Sequence, residues 1–190
     1  MRFTARYLRD YFLQAKIKNI IVWILEISLM IILGFGFATY FCQNVTVQEN
    51  SMEPTISAGE TLLINRLAYK ISSPKRGDIV AFRTEDDPDS SIHIKRVIGL
   101  PGETIQIKNG QILINGQTYV EKKGFPSIAD GGLAETEITL GGTEYFVLGD
   151  NRNNSEDSRH VDVGNVDRKL MIGRLWFVSS PRSSFRFLNS

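Results

Sequence analysis

The chain has 190 residues, a formal net charge of +1 at pH 7 and a single cysteine, Cys42. This length allows one ordinary domain plus appendages. The near-zero net charge gives no field of the kind that marks nucleic-acid binding, and one cysteine excludes an internal disulfide. Function therefore has to be sought in local patterns rather than in bulk composition.

An apolar run extends from Ile20 to Phe41, and Glu26 is its only charged residue. As a helix rising 1.5 Å per residue, the run would span roughly 30 Å, which is the thickness of a bilayer's hydrocarbon core. Basic residues dominate the flank before it, against Asp10 alone: Arg2, Arg6, Arg9, Lys16 and Lys18. The positive-inside rule then predicts a cytoplasmic segment 1–19, a single anchor 20–41 and an extracytoplasmic domain 42–190.

Two alternatives to an uncleaved anchor are a cleaved secretory signal and a buried core helix. The apolar run is longer than the ~7–15 residues of a signal peptide, and no Ala-x-Ala site closes it. A core helix is disfavoured by the same length. Ser51 lies nine positions after Cys42, so even an extended chain keeps it within ~30 Å of the bilayer surface.

The part after residue 42 is predicted to be mainly antiparallel β, because its apolar runs are short and closely spaced. The clearest hairpin is 104–114, where Asn109-Gly110 supplies the positive φ of a tight turn. Other strands are predicted at 61–64, 79–82, 92–98, 117–120, 144–148 and 171–178. Residues 121–142 are polar and glycine-rich, and we expect a surface excursion with little core.

Ser51 is a candidate nucleophile, since it stands just before a Met-x-Pro turn at 52–54. Proline fixes its own φ and biases the preceding residue toward extended geometry, which gives a stiff bend. Alone, this pattern more often marks an ordinary turn. We expect Met52 and Ile56 either to touch lipid or to pack inside.

A serine hydroxyl needs a base to take its proton. His93 and His160 leave a Ser-His-Asp triad possible by residue count, but Lys95 lies on an apolar strand, and an amine that loses its water favours the neutral form. The alternative for Lys95 is a side chain that extends from the strand edge into solvent. A third polar element is the loop 149–159, which contains no apolar residue. In this loop Asp157 and Arg159 could pair, and Ser155 could point at the lysine amine.

Four stretches together resemble the bacterial type I signal peptidases, especially the short Gram-positive form. They are Ser-Met-Glu-Pro-Thr at 51–55, Arg-Gly-Asp-Ile-Val at 76–80, Lys-Arg-Val-Ile-Gly-Leu-Pro-Gly-Glu at 95–103, and the loop from Gly-Asp-Asn-Arg at 149–152 to Asp-Ser-Arg at 157–159. They occur in the family's order and cover nearly the whole exported part.

The resemblance implies an antiparallel β catalytic domain of the signal-peptidase/LexA-like fold, with a small β insertion at about 103–145. It implies Ser51 as nucleophile, Lys95 as general base, Ser155 as the hydroxyl that orients the amine, and Asp157 and Arg159 as supports. The implied reaction removes signal peptides with small residues before the cleavage site from secretory precursors, at the outer face of the cytoplasmic membrane. No cofactor, metal or nucleic acid is implied.

One position departs from the pattern of the best-known members, which carry a serine two residues before the nucleophile. Here that position is Glu49, and a carboxylate would repel an oxyanion. We therefore expect the Ser51 backbone N–H to stabilise the oxyanion and Glu49 to point elsewhere.

Three other functions remain as alternatives. A self-cleaving repressor-type Ser–Lys peptidase would be cytosolic with a DNA-binding domain, a layout that an anchor excludes. A non-catalytic signal-peptidase-like assembly factor that holds pilin or other surface precursors would be expected to lack the serine or the lysine. A membrane-tethered β domain with only a binding role is the third.

Overall fold

A computed structural model of the chain describes residues 2–87 and 89–188, with side chains from residue 16 onward except at residue 40. Of the basic residues predicted to orient the anchor, three have side chains that the structure does not describe: Arg2, Arg6 and Arg9. The chain divides into two units, the first ending at Phe41 and the second beginning at Cys42.

The first unit is one helix, α1, Arg2–Phe41, of 40 residues. It begins well before the apolar run at 20–41, because the basic flank continues the helix. Its segment Lys16–Thr39 is long and apolar enough to cross a membrane by length and composition, with a mean hydropathy of 2.5. A helix satisfies its own backbone hydrogen bonds, as a segment in hydrocarbon must.

The second unit is built mainly from strands, as predicted. Its strands and one short helix are β1 Cys42–Thr46, β2 Thr61–Asn65, α2 Ala68–Ile71, β3 Ile79–Phe82, β4 His93–Gly99, β5 Thr104–Lys108, β6 Gln111–Ile114, β7 Gln117–Thr118, β8 Ile138–Thr139, β9 Glu144–Leu148, β10 Val166–Asp167, β11 Met171–Ser180 and β12 Arg186–Phe187.

These strands form two antiparallel sheets. The larger sheet runs β1-β2-β11-β3-β4-β9-β10, with β12 also paired to β11, and the smaller runs β7-β6-β5-β8. The smaller sheet is built around the predicted hairpin, in which Asn109 and Gly110 have φ values of 52° and 74°. The mainly β fold class is thus confirmed, although β7 is shorter than the strand predicted at 117–120.

Met52 and Ile56 are 1% and 0% exposed and belong to the core under the larger sheet, so of the two expected placements they take the inner one. One local expectation needs correction. The polar excursion 121–142 is not a bare surface loop, because Ile128, Ala134 and Leu140 are buried in the core of the smaller sheet. Isolated apolar residues among glycines and charges show no period, so the sequence pattern did not reveal this packing.

The close approach of β11 to β2 requires Gly173. A Cβ atom at this position would lie 2.5 Å from the backbone oxygen of Asn65 and 2.8 Å from a side-chain carbon of Ile64. Because a backbone oxygen cannot rotate away, any side chain at 173 has to push the two strands apart.

We therefore predict that Gly173→Ala destabilises the second unit by about 1–3 kcal/mol, the usual range for overpacking a closely packed site. Thermal or denaturant unfolding of the full chain in detergent, followed by tryptophan fluorescence, measures this change. Gly142→Ala is the matched control, because a Cβ there meets nothing within 4 Å. Equal stability of the two variants would contradict the prediction.

Candidate active site

Ser51 lies on a turn that is fixed from both sides by buried neighbours. Before it, the backbone N–H of Val47 donates to the Glu60 carbonyl at 2.9 Å. After it, Met52 and Ile56 are buried in the core, and the N–H of Ile56 donates to the Met52 carbonyl at 3.0 Å. Ser51 itself is 6% exposed. The hydroxyl is therefore held at one place at the edge of the core.

Lys95 lies in β4, a strand with neighbours on both sides. Its backbone is opposite Val80 of β3, and the next residue, Arg96, is opposite Leu148 of β9. The Lys95 residue is 0% exposed, and its Nζ lies 2.8 Å from Ser51 Oγ. A lysine is rarely buried without a partner, and here the partner is the serine hydroxyl singled out in the sequence.

Glu49 points into the site, contrary to the expectation that it points elsewhere. Its Oε2 lies 3.2 Å from Lys95 Nζ and 3.3 Å from Ser51 Oγ. Its partial burial acts to raise the pKa of the Glu49 carboxyl, but the charge and hydrogen bond of Lys95 outweigh burial and hold the pKa below its usual range. The Ser51 hydroxyl, and His93 in its protonated form at low pH, act in the same direction. Glu49 is therefore ionised at neutral pH.

His93 is the other titratable group beside Lys95. Burial, followed by the charge of Lys95, lowers the pKa of His93, while Glu49 and Glu156 act in the opposite direction. Its Nδ1 is buried and has no hydrogen-bond partner among the described residues. The imidazole is therefore neutral at pH 7.

The loop 149–159 is docked on the backbone of the serine turn. The N–H of Asn151 donates to the Ser51 carbonyl at 3.0 Å, and the Asn151 side-chain amide donates to the Asn50 carbonyl at 3.2 Å. Gly149 packs against both this turn and Ser155. The structure places Ser155 in the same cleft as Ser51, but Ser155 Oγ is buried without a hydrogen-bond partner among the described residues.

Asp157 and Arg159 form a two-point ion pair inside this loop. Arg159 Nε and Nη2 lie 2.8 and 2.9 Å from the two Asp157 oxygens, and the Asp157 carboxylate also accepts from the N–H of Gly149 at 3.0 Å. Arg159 also donates to the Arg152 carbonyl at 2.6 Å. The pair therefore closes the loop on itself and fixes Gly149.

The sequence did not reveal that the excursion 121–142 holds this loop from outside. Glu121 binds Arg152 through two contacts of 2.5 and 2.6 Å, and Arg152 Nε donates to the Gly149 carbonyl at 3.0 Å. The ring of Phe125 lies 4.4 Å from the Arg152 guanidinium and 5.5 Å from that of Arg96. Neither Glu121 nor Phe125 stands in a motif, so no local pattern marked them.

Arg96 and Asp150 form a second buried pair, with contacts of 2.7 and 2.6 Å. This pair ties β4, next to Lys95, to the start of the loop, next to Gly149. Both residues stand inside the motif stretches 95–103 and 149–152, which was the one signal that could have identified them. The lysine strand and the loop are thus joined by a buried ion pair, and the loop is joined to the serine turn by the hydrogen bonds of Asn151.

Two clefts meet at Ser51, and Glu49 lines both. One has a volume of about 300 Å³ and is lined by both polar and apolar residues, the apolar ones including Val45, Ile92 and Ile94. The other has a volume of about 720 Å³ and is lined mainly by polar residues of the loop 149–159 and of 129–132. An extended chain laid through both clefts would present a backbone carbonyl to Ser51. Within the described part of the chain, no cluster of three metal-ligating side chains was found.

A hydroxyl and an amine are thus in contact at the meeting point of two clefts in an antiparallel β domain. The family model described as signal peptidase, peptidase S26, matches residues 20–179. Signal peptidase I P of Bacillus subtilis subsp. natto is 37% identical over 178 residues, covering 90% of this chain and 95% of the relative. Signal peptidase I S of Bacillus subtilis strain 168 is 32% identical over 187 residues, covering 92% and 97%.

A crystal structure of a signal peptidase I from Enterococcus faecalis V583 is 30% identical, with a TM-score of 0.41, and covers 55% of this chain and 97% of that chain. The chain belongs to the signal peptidase family S26. It is a type I signal peptidase, which is a serine peptidase, and its substrates are precursor proteins that carry signal peptides.

Gly149→Ala is predicted to reduce cleavage of a precursor by about 100-fold, the scale on which a displacement of about 1 Å acts in an active site. The added Cβ would lie 2.1 Å from Ser155 Oγ and 2.5 Å from the Ser51 carbonyl oxygen, so the loop has to move off the serine turn. Steady-state cleavage by the full chain in detergent measures the effect. Gly124→Ala, where a Cβ meets nothing within 4 Å, should retain parent activity, and a Gly149→Ala enzyme equal to it would contradict the prediction.

Proposed function

We propose that this peptidase uses Ser51 as nucleophile and Lys95 as general base to remove signal peptides, with α1 as a membrane anchor. The observation that carries the proposal is the 2.8 Å contact between Lys95 Nζ, on a residue with no exposed surface, and Ser51 Oγ. A buried amine is a usable base because loss of water disfavours its charged form. The contact is short enough for direct proton transfer.

The chemistry follows in two stages. Neutral Lys95 takes the Ser51 proton as Oγ attacks the scissile carbonyl, and the Ser51 backbone N–H stabilises the resulting oxyanion. Collapse breaks the C–N bond, and Lys95 gives its proton to the departing amine, which leaves an acyl-enzyme. Water then attacks the ester with Lys95 again as base, and the proton returns to Ser51 as the signal peptide is released.

The precursor is proposed to bind as an extended strand through main-chain hydrogen bonds. The cleft of about 300 Å³ between segments 45–49 and 91–94 would receive the residues before the scissile bond. Its lining combines polar residues with apolar ones such as Val45, Ile92 and Ile94, and its limited volume favours small side chains such as alanine. The polar cleft on the other side of Ser51 would receive the start of the mature protein.

The proposed location is the outer face of the cytoplasmic membrane, with the N-terminus in the cytoplasm. Lys16–Thr39 has the length and hydropathy for one span, and the basic flank favours retention of the N-terminus inside. The precursor's own apolar segment lies in the same bilayer, so an anchored enzyme encounters its substrate by lateral diffusion in the membrane. Asp157 and Arg159 are proposed as structural supports of the loop.

Lys95→Ala is predicted to abolish turnover, because no other amine contacts Ser51 Oγ among the described residues. Lys95→Met, which keeps the chain length without the amine, should be equally inactive and should fold. Cleavage of a purified precursor by the detergent-solubilised full chain measures this, with Ser51→Ala as the second inactive variant. Substantial activity in Lys95→Met would mean that His93, and not Lys95, is the general base. If the parent enzyme left the precursor uncut, the protein would have only a binding role.

Ser155→Ala is predicted to lower kcat more than it raises KM, because its unpartnered hydroxyl is proposed to orient the Lys95 amine once substrate is bound. Misplacing a catalytic group by about 1 Å can cost about 10²-fold in rate. Separate determination of kcat and KM checks this, with Ser158→Ala as a control for loss of a buried hydroxyl in the same loop. The Ser158 Oγ accepts from the N–H of Val147, so that variant should lose stability rather than kcat. No change in kcat for Ser155→Ala would remove Ser155 from the lysine's surroundings.

A further inference from the structure

Glu49 touches both reacting groups of the site. A single carboxylate oxygen, Oε2, lies 3.2 Å from Lys95 Nζ and 3.3 Å from Ser51 Oγ. Nothing about the fold requires this contact, because the Glu49 side chain is 56% exposed and could extend into solvent. The charged carboxylate instead lies against a lysine with no exposed surface.

This contact opposes the first chemical step. A carboxylate within hydrogen-bond distance stabilises an ammonium relative to a neutral amine. An ammonium has no lone pair and cannot take the proton of Ser51. In the resting arrangement, therefore, Glu49 holds the base in its unreactive form.

The contact is also incompatible with a bound precursor. Glu49 lines both clefts that meet at Ser51, so a backbone that passes from one cleft to the other must pass the carboxylate. A developing oxyanion near Ser51 would be repelled by it. Because more than half of the side chain is already in solvent, rotation outward needs little desolvation or repacking.

We propose that Glu49 is a displaceable latch, which keeps Lys95 as an ammonium in the free enzyme and is turned out to solvent by the precursor segment that crosses Ser51. The proposal rests on the Ser51–Lys95 chemistry proposed above. It makes Glu49 a positioning residue that couples substrate binding to release of a neutral base. The same coupling protects the free enzyme, since its nucleophile is activated only when a substrate occupies both clefts.

The other charged groups near the amine do not replace Glu49. His93, on the same strand, is neutral and lacks a hydrogen-bond partner for Nδ1 among the described residues. Glu156 acts on His93 from the loop 149–159, and Asp157 is neutralised by Arg159. Glu49 is therefore the carboxylate that contacts the Lys95 amine among the described residues.

The test is the pH dependence of precursor cleavage by the full chain in detergent, comparing the parent with Glu49→Gln. The profile of kcat/KM reports the free enzyme and that of kcat reports the substrate complex. We expect Glu49→Gln to move the acid limb of kcat/KM about one pH unit lower. At pH values on that limb, kcat/KM of Glu49→Gln should exceed that of the parent by up to about tenfold. At pH values above the limb, the two enzymes should have equal kcat/KM. The acid limb of kcat should stay in place, since the latch is already open in the complex.

Glu156→Gln is the matched control, because it removes one negative charge from the same cleft without contact to Lys95 or Ser51 among the described residues. It should leave the kcat/KM limb within a few tenths of a pH unit of the parent. An equal shift of the kcat/KM limb in both glutamine variants would show that the effect comes from the net charge of the cleft and not from the Glu49 contact. That result would contradict the proposal. Equal shifts of kcat and kcat/KM in Glu49→Gln would show that Glu49 stays beside Lys95 during turnover, which also overturns it.

A second measurement does not depend on turnover. In the full chain labelled with ¹⁵N-lysine, the Lys95 signal is assigned by its loss in Lys95→Met, and its titration midpoint should fall by about one pH unit in Glu49→Gln. An unchanged midpoint would overturn the latch. Failure of the proposed function is distinct, because it would appear as parent-level cleavage by Lys95→Met, whatever the behaviour of Glu49→Gln.

Discussion

The contact between the Lys95 amine and the Ser51 hydroxyl is the constraint on which the site depends. An amine is strongly hydrated, so placing it at 0% exposure beside an oxygen needs a surrounding that excludes water and still fixes both partners. The fold meets this need by setting Lys95 in the interior of the larger sheet and by locking the serine turn with Met52 and Ile56. Each partner is thus held by a different part of the core.

Buried charge pairs, rather than apolar packing, hold the loop that completes the site. Arg96–Asp150, Arg159–Asp157 and Arg152–Glu121 all have one or both members almost fully buried. Pairs of this kind add little net stability over apolar residues of equal size, but an unpaired member would be strongly destabilising. Their effect is to give one arrangement of the loop a much lower free energy than arrangements in which a charge is left unpaired. A loop without apolar residues can in this way have a defined structure.

The sequence predicted the parts of this site that are encoded locally. Alternation and turn residues located the strands, and the motif stretches singled out Ser51 and Lys95, whose side chains are in contact. The predicted direction of the Glu49 side chain was wrong, because reasoning from its charge against an oxyanion ignored the Lys95 amine that it contacts. Glu121 and Phe125 were missed, since their partners lie 31 and 27 positions away from them at Arg152, and long-range pairing leaves no periodic signal. The buried residues of the excursion escaped notice for the same reason.

Phe125 lies within 6 Å of two guanidinium groups, one on the lysine strand and one on the loop, and Glu121 neutralises the second. Glu121 and Phe125 therefore pack with the loop as one unit, although each lies more than twenty positions before Arg152 in the chain. Grafting the loop alone from a related enzyme would leave two buried cations against a foreign surface. Recombination between relatives has to transfer both segments together to produce a working hybrid.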